Sequence, residues 1–378
     1  MSLFEELDGR YTERGNSRFV LFLLTQIPDQ SIKDWFPQAA ARTGKTAVLA
    51  DRYVNGIESA HDAQDSWKEF YLRNALGNVY MAAQEYDNAI SIQESICFFE
   101  YKARGSLAVR VEYIASFKQL ARAYSLKALE ADETLRSEAV GPWVKRLEKL
   151  MEQQRKYQNR DVPLHMAGFD FNEASIFLIL LYRLRNREAE SRRLLGGMVS
   201  DSLELLEDDE PQNDEISIRH LQRTLIAAGD EESSSAHQSL WTPDHREKAQ
   251  LTPRRGLSPR RRGKQISLTK VFSEGDPLSC DHCLKRFEPS DKFAVCWYCI
   301  DLKFCLPCLA AIRSQNFTPG HTSACKPSHD WLIVPPLPRD LQPGEVLVDG
   351  QAQTLGEWKS TLRQKWVQPN PTTGLGIL

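Results

Sequence analysis

The chain has 378 residues, 41% apolar and 26% charged, and its 48 Lys+Arg against 51 Asp+Glu leave a net charge of −3. That balance excludes an intrinsically disordered or globally cationic protein, and at roughly 100 to 200 residues per domain the length implies two or three folded units. The longest apolar runs, Phe19 to Leu24 and Ile176 to Tyr182, fall far short of the ~18 residues of a membrane span, so a soluble protein with no membrane partner is expected.

The opening Met1-Ser2-Leu3-Phe4-Glu5-Glu6-Leu7-Asp8 is acidic and has no positive region ahead of an apolar one. An intracellular protein, cytoplasmic or nuclear and in a reducing compartment, is the expectation. Arg42-Thr43-Gly44-Lys45-Thr46 ends like a phosphate-binding loop, but Ala39 stands where its first glycine would be, and the motif is rejected. Five of the 19 prolines fall in residues 1–230 and 14 in the remainder. The first part can therefore be mostly helix, whereas the second cannot.

Within the first part, Leu76-Gly77-Asn78-Val79-Tyr80 followed by Glu85-Tyr86-Asp87-Asn88-Ala89-Ile90 resembles a tetratricopeptide repeat. The resemblance implies a helical hairpin in which Gly77 and Ala89 permit close packing and Tyr80 and Tyr86 fill the gap. Leu120, Ala121 and Tyr124 echo Leu76, Gly77 and Tyr80 at 44 residues, against the ~34 of a regular array. Cys97 follows an amphipathic run and is expected to pack as an apolar residue.

Tyr113, Phe117, Leu120 and Tyr124 share one helical face and predict a helix over 107–130. Pro142, in a first turn, precedes Trp143, Leu147, Leu150 and Met151 on another. Leu194, Leu195, Met198, Val199, Leu203 and Leu206 form a further stripe, and Ile218, Leu221 and Leu225 one more. Residues 1–229 are thus read as a helical-hairpin domain.

Residues 201–215 carry eight acidic side chains and no basic one, expected as a solvated turn. A flexible basic linker is expected over 230–275, from its Glu231-Glu232-Ser233-Ser234-Ser235 opening and its cluster of Arg254, Arg255, Arg260, Arg261, Arg262 and Lys264. That cluster could serve as a nuclear-import signal or contact nucleic acid, and phosphorylation of Ser258 could weaken it.

Seven of the eight cysteines lie between positions 280 and 325, in the order Cys280-x2-Cys283-x12-Cys296-x2-Cys299-x5-Cys305-x2-Cys308-x16-Cys325-x3-His329. The x2 spacing lets a tight turn aim both thiolates at one ion, and eight ligands make two tetrahedral zinc sites. Only five residues separate the second and third pairs, which favours a cross-brace. Cys280, Cys283, Cys305 and Cys308 then hold one zinc ion, and Cys296, Cys299, Cys325 and His329 hold the other. His321 is an alternative to Cys325, and both sites are closed, which implies a structural role.

This segment resembles the ZZ-type zinc finger, a cross-braced module that recognises short peptides; its last pair is Cys-x3-His where a ZZ finger ends in two histidines. A wider stretch, about 70–367, looks like a family of fungal tetratricopeptide-like proteins, through segments such as Leu181-Tyr182-Arg183-Leu184 and His329-Asp330-Trp331-Leu332-Ile333-Val334-Pro335-Pro336. After the finger, Val346 to Gly350 suggests a strand ending in an Asp-Gly turn. Thr354 and Glu357 then have capping-box spacing ahead of a helix bearing Trp358, Leu362 and Trp366. This hairpin and helix are expected to pack on the finger and complete a module over 276–367.

The expected fold is mainly α: a tetratricopeptide-like array followed by a small zinc-stabilised α+β module. No Gly-x-Ser-x-Gly, His-Glu-x-x-His or dinucleotide fingerprint is present. A non-catalytic adaptor or scaffold for protein or peptide partners is therefore expected. The alternative is a ubiquitin-ligase component with a RING-like cross-brace, although a RING places a histidine in its second or third pair and both pairs here are Cys-x2-Cys.

Overall fold

The computed structural model describes residues 30–98, 107–158, 172–208, 211–240, 279–283, 285–300, 302–314, 325–338, 341–342 and 344–368. The basic cluster at 254–264 and His321 lie outside them. The chain divides into two compact units, Met1–Leu194 with Asn316–His329, and Leu195–Gln315 with Asp330–Leu378.

The first unit is built from helices α1 (Gln30–Arg42), α2 (Thr46–Asp62), α3 (Ser66–Ala82), α4 (Tyr86–Cys97), α5 (Leu107–Ala131), α6 (Gly141–Gln158) and α7 (Glu173–Leu184). Helix α8 (Glu188–Leu205) follows. Leu49, Tyr53 and Ile57 of α2 pack with Leu72, Leu76 and Val79 of α3 in one core cluster. The expected helix over 107–130 is α5, and its stripe of Tyr113, Phe117, Leu120 and Tyr124 is buried. Cys97 is buried too, and burial pushes its thiol well above the usual range, which suits an inert packed residue.

One turn recurs. At the end of α1, Lys45 N–H donates to Ala40 O and Gly44 N–H to Ala41 O; at the end of α2, Asp65 N–H donates to Ala60 O and Gln64 N–H to His61 O. The same pair of bonds closes α3 at Gln84 and Glu85, α7 at Asn186 and Arg187, and the helix ending at Ala228 at Gly229 and Asp230. Each is a Schellman corner, in which a residue at positive φ reverses the chain and satisfies the last carbonyls. Those residues are Gly44, Gln64, Gln84, Asn186 and Gly229, with φ of 67°, 53°, 62°, 57° and 72°. Gly44, Gln64 and Gln84 stand 20 residues apart, so a hairpin here takes 40 residues.

A side chain in the left-handed region costs about 1 kcal/mol relative to glycine. Replacing Gln84 by glycine is therefore expected to raise the unfolding free energy by roughly 1 kcal/mol, read as a shift of the urea midpoint at constant slope. No change, or a loss, would contradict the strain assigned to this corner.

Helices α3, α4 and α5 meet over small and polar residues. Ala89 is fully buried, and a Cβ added at Gly77 would lie 2.2 Å from Gln93 Nε2 and 3.2 Å from Gln119 Oε1. Gln93 Nε2 donates to Gln119 Oε1, Asn74 Nδ2 donates to Glu112 O at 2.7 Å, and Ser116 Oγ donates to Asn74 Oδ1 at 2.7 Å. Asn74, Gln93 and Ser116 are all buried, so the seam is held by its own polar partners.

The second unit holds the rest of α8, α9 (Pro211–Ala228), α10 (Glu231–Leu240), strands β1 (Phe293–Cys296) and β2 (Lys303–Cys305), α11 (Leu306–Arg313), β3 (Trp331–Val334), β4 (Glu345–Val348), β5 (Gln351–Thr354) and α12 (Leu355–Leu362). Strands β2, β1 and β3 form an antiparallel sheet in that order, with Ala294 opposite Phe304 and Ile333. Strands β4 and β5 form a hairpin turned at Asp349-Gly350, both at positive φ, as a tight Asp-Gly turn requires. The capping box at Thr354 and Glu357 is formed at the start of α12.

Two features differ from the sequence expectations. The stretch at 231–240, read as the start of a linker, is helix α10: Asp230 accepts from Ser233 N–H as its N-cap, and Ser233, Ser234 and Ala236 are buried. The second concerns the terminal helix, whose extension beyond α12 lies against the α8 to α10 region. Trp366 Nε1 donates to Asp230 Oδ2 at 2.9 Å, Lys365 pairs with Asp230 Oδ1 at 3.0 Å, and Arg363 pairs with Glu207. A Cβ on Gly196 would meet Trp366 O at 2.8 Å, so glycine permits this approach. Glu207, from the acidic run, is thus partly neutralised by Arg363 and Lys359, while Pro211 opens α9 instead of sitting in a turn.

Candidate metal centre

The first knuckle is a turn closed by Cys280 N–H donating to Lys285 O at 2.8 Å, beside a bridge between Ser279 and Arg286. It is clasped to β2 by Asp281: its N–H donates to Lys303 O at 2.9 Å, and its carboxylate accepts from Lys303 N–H at 2.5 Å. Cys305 ends β2 and stands in extended conformation at the N-cap of α11, with Pro307 in the first turn. Strand, cap and proline together fix Cys305 and Cys308 on the start of a helix, where the positive end of the dipole favours thiolate.

These elements bring one ligand atom each from Cys280, Cys283, Cys305 and Cys308 within 4.8 Å of one another. Cys283 Sγ and Cys305 Sγ are 3.7 Å apart, and Cys305 N–H donates to Cys280 Sγ at 3.4 Å. Such backbone donors compensate thiolate charge. Burial, then contact with the Cys305 and Cys283 thiols, pushes the Cys308 thiol well above its usual range. Burial acts to raise Cys283 also, but the Lys285 N–H and the neighbouring thiols outweigh it and bring that thiol down. Four crowded thiols favour a bound cation over four competing protons, because a cation stabilises every thiolate at once.

The second group joins Cys296, Cys299, Cys325 and His329, again with ligand atoms within 4.8 Å of one another. Cys299 N–H donates to Cys296 Sγ at 3.3 Å, and Ile300, at φ 63°, turns the chain back so that Cys296 N–H reaches Leu302 O. Cys325 Sγ lies 3.5 Å from His329 Nδ1. His329 is buried and directly precedes the residues that pair β3 with β1 through Cys296 and Trp331.

All eight residues expected as ligands therefore fall in the two groups of four that the cross-brace requires, and each group could hold a metal ion. No other such group occurs among the described residues. Sequence reading passed over Asp281, the residue that ties the first knuckle to β2. Its signal, a short acidic side chain able to bond nearby backbone N–H groups directly after a ligand cysteine, is local but common.

The sheet beneath the ligands carries the module's apolar core. Phe287 and Phe293 stack at 4.5 Å, and Phe304 meets Trp331 edge to face at 5.3 Å. Leu309, Ile312, Leu332 and Val334 are buried with them. No protein-family model, curated protein or solved structure matches the chain. No helix among the described residues is long and apolar enough to cross a membrane.

Proposed function

We propose that the protein is a non-catalytic adaptor in which a tetratricopeptide-like helical array and a ZZ-like zinc finger each bind a protein or peptide partner, the finger being held by two structural zinc ions. The observation that carries this reading is the pair of complete four-ligand groups. Zinc binds thiolate at about 2.3 Å, which sets a sulfur–sulfur edge of about 3.8 Å in a tetrahedron. The 3.7 Å between Cys283 and Cys305 matches that edge. Four protein ligands leave zinc no position for water or substrate, and this is the form of a structural site.

The array half of the proposal is supported by the consecutive hairpins α1 to α4, by their repeated corners and by the close packing at Gly77. Helices stacked in this way present extended surfaces suited to partner segments. Thiolate ligation also fits a reducing, intracellular compartment.

The test is cross-linking capture with the full chain, comparing wild type with Cys308→Ser, which breaks the first site, and Gly77→Ala, which disturbs the array. Two partner sets are expected, one lost with each variant. An autoubiquitination reaction with a conjugating enzyme that depends on Cys308 would replace the adaptor reading by a ligase.

A further inference from the structure

The two ligand groups differ in what solvent can reach. In the first, Cys280, Cys305 and Cys308 are at most 8% exposed, whereas Cys283 is exposed. In the second, Cys296 and His329 are buried and Cys299 and Cys325 are half-buried. Cys97 is fully buried. Cys283 is thus the only exposed cysteine among the described residues, and its sulfur lies 3.7 Å from that of Cys305.

From this asymmetry we infer that Cys283 is an oxidative modification site through which hydroperoxides open the first metal centre and leave the second intact. The inference rests on the zinc reading above. Zinc-bound sulfur remains a thiolate and therefore a nucleophile. The Cys283 thiolate attacks the outer oxygen of the hydroperoxide; the S–O bond forms, the O–O bond breaks, and the alkoxide or hydroxide leaves and takes a proton from water. Cys283 is then a sulfenic acid.

The Cys305 thiolate next attacks the Cys283 sulfur, forming the S–S bond and breaking the S–O bond, and hydroxide leaves. Two thiolates have lost two electrons in all, and the peroxide has gained them. The sulfurs must close from 3.7 Å to about 2.05 Å, a movement available to Cys283 because its knuckle lies at the surface. A site reduced from four thiolates to two releases its ion.

The experiment treats the purified, zinc-loaded chain with rising equivalents of hydrogen peroxide. Zinc release is followed with a chromogenic chelator, sulfenic acid is trapped with a cyclic diketone, and the disulfide is located by peptide mass mapping. The expected result is release of one of the two ions in a first phase, with adduct on Cys283 and a Cys283–Cys305 disulfide. Cys296, Cys299 and Cys325 should remain alkylatable.

Cys283→His, which replaces one ordinary zinc ligand by another, is expected to keep two ions and to release the first roughly tenfold more slowly. If that variant fails to load zinc, the mapped order of modification in wild type decides alone. Simultaneous loss of both ions, first adduct at another cysteine, or no release would overturn the inference and leave the zinc reading standing. A protein that carries no ion before peroxide would overturn both.

Discussion

Stripping metal from the protein is expected to unfold strands β1, β2 and β3 and helix α11 while helices α1 to α7 stay folded. The three-stranded sheet rests on strands of three and four residues, and its core is a few side chains around Phe293, Phe304 and Leu332. A module of this size does not bury enough apolar surface to offset the entropy of ordering it. Structural zinc supplies about 10 to 16 kcal/mol in comparable small fingers, as large as the whole stability of an ordinary domain. Amide hydrogen exchange with and without a strong chelator measures this directly: protection at Val295, Cys305 and Leu332 should vanish, and protection at Leu76 and Phe117 should persist. Unchanged protection in β1 and β3 would mean that the core, not the metal, holds the module.

The substitution Gly77→Ala should be the most damaging small change in the helical array. Alanine ordinarily favours a helix over glycine by about 1 kcal/mol. Here its Cβ would stand 2.2 Å from Gln93 Nε2, in a place where Gln93 is fully buried and bonded to Gln119. Either Gln93 moves and loses that bond, leaving a buried amide unsatisfied at about 1 to 3 kcal/mol, or α3 and α4 separate at a similar cost of overpacking. A net loss of roughly 2 kcal/mol is expected in chemical denaturation, with partial recovery in the double variant Gly77→Ala, Gln93→Ala. A gain in stability for Gly77→Ala would show that the seam is loose.

Local chemistry made the ligands legible. The Cys-x2-Cys pairs encode their own turns, and the x5 gap between Cys299 and Cys305 favours a cross-brace over two sequential sites, so spacing pointed to the grouping and left only the choice between Cys325 and His321 open. The capping box at Thr354 and Glu357 and the Asp349-Gly350 turn were legible for the same reason, being set by adjacent residues. The helical stripe through Phe117 and Tyr124 needed only a period.

What was not legible depended on context or on distance. The corners at Gln64 and Gln84 carry glutamine where glycine would mark a helix end, so their 20-residue step was hidden. Helix α10 has the serine-rich composition of a linker, and only the fold supplies the neighbours that bury Ser233 and Ala236 and the cap at Asp230. The approach of Trp366 to Asp230 joins residues 136 apart in the chain, and no local pattern announces such a pair.

The most direct test of the account is the metal content of the intact protein, purified under reducing conditions without added chelator and weighed by native mass spectrometry beside elemental analysis. Two zinc ions per chain are expected, with one lost in Cys308→Ser. A chain carrying no zinc, or a single ion that survives Cys308→Ser, would contradict two closed four-ligand sites.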